Sequence, residues 1–130
     1  MGRVVNRRAF EYAKWASGYS LMRSKVGCVL MEECRVATDA YRQPQLLLRT
    51  WNRALQSPGP PFSIHAEENM LLKSRIFDIR DADVYLYRGL ASGQVADSKP
   101  CPRCRALLRD AGVRRVYYTS KHGPHFRRLW

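Results

Sequence analysis

Long apolar runs are missing from this 130-residue sequence: none approaches the roughly 18 residues that a membrane-crossing helix requires. The stretch from Met1 to Tyr19 carries Arg3, Arg7, Arg8, Glu11 and Lys14 and lacks the apolar block of a secretory signal, so a cytoplasmic location with no membrane partner is expected. Cysteine is scarce. Four residues, two of them in a C-x-x-C, exclude the dense disulfide framework of small secreted domains. Repeats and low-complexity segments are also absent, which predicts one domain over residues 1–130, large enough to bury a core without a covalent or metal clamp.

Acids are in short supply as well: 11 Asp and Glu face 23 Lys and Arg, for a net charge of +12. The excess sits at the ends. Residues 1–25 hold six cations and one acid (net +5), residues 99–130 nine and one (net +8), and the centre is near neutral at −1. Such flanks attract phosphate, on a nucleotide or on a polymer.

What is present reads as alternating helices and strands. Val5, Ala9, Tyr12, Ala13, Ala16 and Tyr19 recur at helical spacing opposite Arg3, Arg7, Glu11 and Lys14, predicting a helix over 4–20 that Gly18 weakens in its last turn. Residues 26–31 and 46–52 predict strands, joined by an irregular connector over 34–44. Pro58, Pro60 and Pro61 then stiffen a loop. Ser63 is expected to cap a helix that runs to about Arg75, with Glu67 and Glu68 in its first turn. A third strand is expected over 83–88, then a loop or ragged hairpin extension over 89–99. Pro102 opens another helix, which Gly112 stops. A fourth strand over 113–119 and a turn at 121–124 leave 125–130 for a short strand or tail. The order predicts an α/β fold with a mixed sheet flanked by helices.

Two short stretches carry the chemistry: Ile64-His65-Ala66-Glu67 and Pro100-Cys101-Pro102-Arg103-Cys104. His65, Cys101 and Cys104 make a three-ligand zinc set that leaves the fourth tetrahedral position for water, as catalytic zinc requires. Two thiolates and a neutral imidazole cancel the charge of one Zn²⁺. Both halves fall at expected helix starts, where free backbone N–H groups and the helix dipole favour thiolate. Zinc lowers the pKa of bound water from 15.7 to about 7, worth on the order of 12 kcal/mol towards a hydroxide nucleophile. Glu67 is the expected proton carrier rather than a ligand, a role worth a factor of about 10²–10⁴ in rate. A closed, structural zinc site in a non-catalytic interaction module would instead need a fourth ligand. The spare candidates are Cys28, which reads as a small core residue, Cys34, and His122 and His125, which flank a Gly-Pro turn. Glu67 argues against that module, since a structural site has no use for it.

The combined pattern H-x-E … P-C-x-x-C resembles the signature of zinc-dependent nucleobase deaminases. From about Val26 to Thr119 the chain is similar to the cytidine deaminase superfamily, most closely its deoxycytidylate-deaminase-like members. Lys25-Val26-Gly27-Cys28-Val29-Leu30 looks like their first-strand block, and His65-Ala66-Glu67-Glu68-Asn69 like their H-A-E-[ME]-N. Trp51-Asn52-Arg53 looks like the end of their second strand and is also similar to tRNA adenosine deaminases. The resemblance implies a three-layer α-β-α cytidine-deaminase-like fold with a mixed sheet of four to five strands and one Zn²⁺ per chain. It implies hydrolytic conversion of cytosine to uracil in a nucleoside or nucleotide, deoxycytidylate-like, with zinc-bound hydroxide as nucleophile and Glu67 as proton shuttle. It further implies that the Ala66 N–H meets the base carbonyl, that Asn52 holds the sugar, that the backbone around Lys99 and Pro100 faces the amine, and that the protein is a homo-oligomer.

The chain departs from that pattern in its long 34–44 connector, in its wide spacing between the third strand and Pro100-Cys101, and after Ser120. Only about ten residues remain there, so an antiparallel strand fits and a helix plus parallel strand does not. This end is more like free-nucleoside deaminases and some polymer-editing members. Two substrate readings follow. In the first, a cytosine nucleoside or nucleotide is bound, with Arg23, Lys25 or Arg53 as candidates for its phosphate. In the second, the substrate is a cytosine or adenine base in single-stranded DNA or RNA, with Tyr41, Trp51, Phe62 and Trp130 as a stacking track.

Overall fold

The computed structural model of the chain describes residues 7–22, 24–32, 45–54, 63–76, 79–80, 82–90, 92–122 and 126–130. The 34–44 connector, the proline loop, Arg23, Cys34, Tyr41, Phe62 and His125 lie outside them. Strands β1 (Lys25–Glu32), β2 (Gln45–Trp51), β5 (Ala82–Gly89), β7 (Arg115–Thr119) and β8 (Phe126–Arg128) line up in the order β2-β1-β5-β7-β8. Strand β6 (Val95–Ala96) adds to β5, and β3 (Arg53–Ala54) and β4 (Ser63–Ile64) form a separate small ribbon. The sheet is mixed: β5 and β7 are parallel and the other pairs antiparallel. The helices are α1 (Arg7–Ser17), α2 (Ala66–Lys73) and α3 (Pro102–Asp110).

The unbroken apolar run of β1 follows from this placement. Gly27 to Met31 are all buried because both faces of the sheet are covered. Side chains alternate between two cores. Cys28, Leu30, Val84, Leu86, Val116 and Tyr118 pack with Met70 and Leu108 on the α2–α3 face. Val29, Met31, Tyr85, Tyr87 and Tyr117 pack with Ala9, Phe10, Ala13 and Ala16 of α1. Gly27 is required at the α1 contact, because a Cβ there would lie 1.9 Å from the Ala13 carbonyl oxygen.

Several boundaries differ from expectation. Helix α1 ends at Ser17, not residue 20. Gly18, Tyr19 and Ser20 continue in i→i+3 turns bonded to Trp15, Ala16 and Ser17, and this swings Tyr19 out of the apolar stripe to 51% exposure. The N-cap of α2 is His65 (φ −70°, ψ 154°) and not Ser63. Ser63 pairs with Ala54 instead, and this extended segment buries Ile64 and brings the histidine to the helix start. The 89–99 region is a hairpin extension, with Arg88 opposite Ala96 and Gly89 opposite Val95. Gly112, at φ 81°, follows the end of α3 as expected. Strand β8 runs antiparallel to β7, and the Trp130 indole donates to the Val113 carbonyl at 3.3 Å.

Candidate active site

His65 and Cys101 are the N-caps of α2 and α3, so two helix N-termini converge on one point. Pro102 occupies the first turn of α3, where a missing N–H costs nothing. The Cys101 sulfur accepts the Cys104 backbone N–H at 3.4 Å. Across the two helices, Nδ1 of His65 lies 3.3 Å from Sγ of Cys104 and 3.8 Å from Sγ of Cys101. All three donor atoms lie within 4.8 Å of one another. Tetrahedral zinc, with bonds of about 2.0 Å to nitrogen and about 2.3 Å to sulfur, sets N···S separations of roughly 3.6 Å. The observed pair brackets that value, so the group fits one Zn²⁺. Among the described residues no fourth His, Cys or carboxylate joins it.

Glu67 sits in the first turn of α2 and is 5% exposed. Burial pushes its carboxyl up from the ordinary range, against the opposing pull of its backbone N–H, His65 and Cys104. Burial, then the nearby Glu67 carboxylate and Cys101, push the Cys104 thiol far up as well. A neutral thiol is thus the resting form of the protein alone, and a bound cation converts it to thiolate. Cys28 is fully buried in β1, its thiol also raised by burial and Glu67. It floors the site as a core residue and stands outside the donor group, as does the exposed His122.

A cavity of about 360 Å³ opens beside the donors. His65, Ala66, Glu67 and Cys101 line it with Asn52, Val26, Met22 and Ser24 on one wall and Arg88, Asp97, Ser98 and Lys99 on the other. Pro100 is buried, and its neighbours Lys99 and Cys101 supply the lining. Ala66 is the first residue of α2, so its N–H has no intrahelical acceptor. The Ala66 carbonyl is held by the Thr50 hydroxyl at 2.8 Å. Asn52 is locked in place: Oδ1 accepts from the Val26 N–H at 2.9 Å and Nδ2 donates to the Ser24 carbonyl at 2.5 Å. One Nδ2 hydrogen is left as a donor.

Buried hydroxyls hold the far wall. Ser98 donates to the Leu86 carbonyl at 3.0 Å and accepts the Thr119 N–H at 2.7 Å, while Thr119 donates to the Ala96 carbonyl at 2.8 Å. These bonds fix the segment leading into Cys101 against β5 and β7. A further brace joins the two helix starts. Glu68 accepts the His65 backbone N–H at 3.4 Å through one oxygen, and the other is ion-paired with Arg103, which lies between the two cysteines.

The structure therefore brings together His65, Ala66, Glu67, Cys101 and Cys104, with Asn52 on the cavity wall. The exposed Lys25 and Arg53 are not part of that lining. The cavity's own cations are Arg88, which the sequence did not mark, and Lys99, which it marked for its backbone and not for its charge. The signal for Arg88 was positional: it is near the C-terminal end of a strand in the parallel pair, where open α/β sheets bind ligands. Trp130 packs at the β7–β8 end under Arg109 and not at the cavity.

A deoxycytidylate deaminase of Saccharomyces cerevisiae is 27% identical over 117 residues, covering 82% of this chain and 34% of that protein, so the chain spans about a third of that relative's length. The fold matches the crystal structure of cytidine deaminase from Burkholderia pseudomallei (17% identity, TM-score 0.67, 97% of this chain and 92% of that one). It also matches dCMP deaminase from the cyanophage S-TIM5 in apo form (23%, 0.63, 92% and 86%) and in complex with dCMP and dUMP (20%, 0.58, 89% and 81%). Residues 3–120 match the model of the cytidine and deoxycytidylate deaminase zinc-binding region, and the chain belongs to that family.

Proposed function

We propose that the protein is a zinc-dependent hydrolytic deaminase that converts cytosine to uracil in a nucleoside monophosphate, with His65, Cys101 and Cys104 as the metal ligands. The observation that carries this reading is one buried carboxyl group, Glu67, beside a three-donor metal group on the wall of a cavity. When bound, zinc supplies the Lewis acidity that makes water a nucleophile at neutral pH. Glu67 would accept a proton from the attacking water and hand protons to the ring nitrogen and the departing amine. Water is consumed, the ring C–N bond breaks and ammonia leaves. The free Ala66 N–H meets the base carbonyl. The remaining Asn52 donor holds the sugar, and the backbone at Lys99 and Pro100 faces the amine. Arg88 and Lys99 favour a phosphorylated substrate over the free nucleoside, since a phosphate there gains two cations.

A panel of cytidine, deoxycytidine, their monophosphates and adenosine controls, read as ammonia release with metal content measured in parallel, tests this. The monophosphates are expected to turn over with lower KM than the nucleosides. Arg88→Ala should raise KM for the monophosphate by about tenfold and leave the nucleoside little changed. A zinc-loaded protein that releases no ammonia from any cytosine substrate would overturn the reading.

A further inference from the structure

A buried strand accepts valine as readily as threonine by shape, so a threonine deep in β2 calls for a use of its hydroxyl. Thr50 is 0% exposed and sits opposite Cys28 of β1. A buried hydroxyl without a partner costs stability. This one has its partner outside the sheet: Oγ1 lies 2.8 Å from the Ala66 carbonyl oxygen, against 3.5 Å from that of Cys28. The single hydroxyl hydrogen therefore goes to Ala66. The oxygen's lone pairs are left for the Cys28 thiol, which is hydrogen-bonded to Thr50. The next residue of the strand repeats the attachment, since the Trp51 carbonyl accepts from Nδ2 of the buried Asn69 at 3.2 Å. The start of α2 is thus fastened to β2 at two points about one turn apart.

The Ala66 carbonyl is one edge of a planar peptide whose other edge is the Glu67 N–H. The Glu67 carboxyl accepts that same N–H. Thr50 and the Glu67 carboxyl therefore hold opposite edges of one rigid plane, and the hydroxyl fixes how that plane is turned. Hydrogen bonds in such a chain also polarise one another, so the bond to the carbonyl strengthens the N–H as a donor to the carboxyl. The neighbouring metal donors have other supports. The Cys101 sulfur takes the Cys104 N–H at 3.4 Å, and Glu68 links the His65 backbone to Arg103. One ion shared by His65, Cys101 and Cys104 would add to these. Glu67 stands outside that donor group, so no metal bond would correct its position. A misplacement of about 1 Å in a reacting group can cost on the order of 10²-fold in rate.

We propose that Thr50 is a positioning residue for Glu67: its hydroxyl, acting through the Ala66–Glu67 peptide, sets where the carboxyl stands in the cavity. The catalytic consequence rests on the deaminase reading; the coupling through the peptide does not. Thr50→Ala removes the hydroxyl and leaves room, and Thr50→Val removes it with the size nearly kept, so a failure of one to fold leaves the other. Both are expected to lower kcat on the cytosine monophosphate by about 10- to 100-fold with KM little changed. Thr50→Ser keeps the hydroxyl and should recover most of that loss. Metal analysis and thermal melts run alongside, so that kcat is counted per folded, zinc-loaded chain. A second readout needs no turnover. In NMR correlation spectra of the zinc-loaded chain, the Glu67 amide proton should move upfield in Thr50→Ala and Thr50→Val and return in Thr50→Ser. An unmoved Glu67 amide would overturn the coupling. Unchanged kcat per zinc-loaded chain in variants whose amide has moved would overturn the positioning role, as would an equal loss of kcat in Thr50→Ser. A zinc-loaded wild type that deaminates nothing would instead overturn the deaminase reading, with the amide shift still deciding the coupling.

Discussion

The two faces of the central sheet share their strands and divide their labour. The α2–α3 face is mostly aliphatic, with Leu30, Leu86, Met70 and Leu108 fully buried and Tyr118 at its margin. The α1 face is aromatic: Phe10 meets Tyr85 edge-on at 5.1 Å, and Tyr85 stacks on Tyr117 at 4.5 Å. Helix α1 presents its side to the sheet, through alanines and the close approach at Gly27. By contrast, α2 and α3 present their N-termini to a common point, where His65 and Cys101 cap them. Chemistry therefore gathers where helix ends meet, and the aromatic face packs the sheet against α1.

That division can be broken at stated places, beginning with the largest effect. Glu67→Ala should lower kcat by at least about 10²–10⁴ while zinc content stays at one per chain, measured by ammonia release and metal analysis. Loss of the metal would make Glu67 a ligand and not the proton carrier. Next is stability on the aromatic face. Gly27→Val drives a side chain into the α1 backbone and is expected to cost at least about 3 kcal/mol in denaturant unfolding, with zinc affinity per folded molecule unchanged. Leu108→Ala makes a cavity on the other face, beneath α3, and should cost about 2–5 kcal/mol. Unlike Gly27→Val, it should also weaken zinc binding in a chelator competition, because α3 carries both cysteines. Equal effects on zinc from the two variants would erase the distinction between the faces.

Two smaller effects sharpen the picture. Glu68 and Arg103 brace the two helix starts from a partly solvated position, so the coupling energy in a double-mutant cycle of Glu68→Gln and Arg103→Gln should be about 1 kcal/mol or less. Its sign should be the same in stability and in zinc affinity. The smallest effect is at Asp97, whose carboxyl is held below its ordinary range chiefly by accepting the Lys121 backbone N–H at 2.8 Å. A depressed value in the folded state stabilises above the unfolded pKa of about 4 and is lost as pH falls through the folded value. Asp97→Asn should therefore slightly flatten the acid limb of a plot of Tm against pH.

The site was more legible in the sequence than the framework that holds it. His65, Glu67, Cys101 and Cys104 announce themselves because imidazole, carboxylate and thiol at this spacing serve few other ends, and local rules place them at helix starts. The hydroxyl clasp of Ser98 and Thr119 and the Glu68–Arg103 brace join residues more than 20 positions apart in the chain. A serine or an arginine carries no local mark of such a partner. The N-cap of α2 lies two residues beyond Ser63 for a related reason: Ser63 is the better cap by type, and the β3–β4 pairing outweighs that preference. Tyr19 fits the helical stripe by spacing, yet it leaves the helix at Gly18 and stacks on Trp51.

The hairpin of β5 and β6 has a consequence for how the chain tolerates change. Leu90 N–H is bonded to the Gln94 carbonyl at 2.8 Å, and the two strands are in register from Gly89 and Val95 onwards. The tip is thus closed on itself, and the Ser98 clasp resets the path of the backbone before it reaches Cys101. Insertions between Leu90 and Gln94 are therefore expected to leave zinc content per chain unchanged, as metal analysis of such variants checks. The tip is accordingly the place to graft a tag, a probe or a binding segment within reach of the cavity.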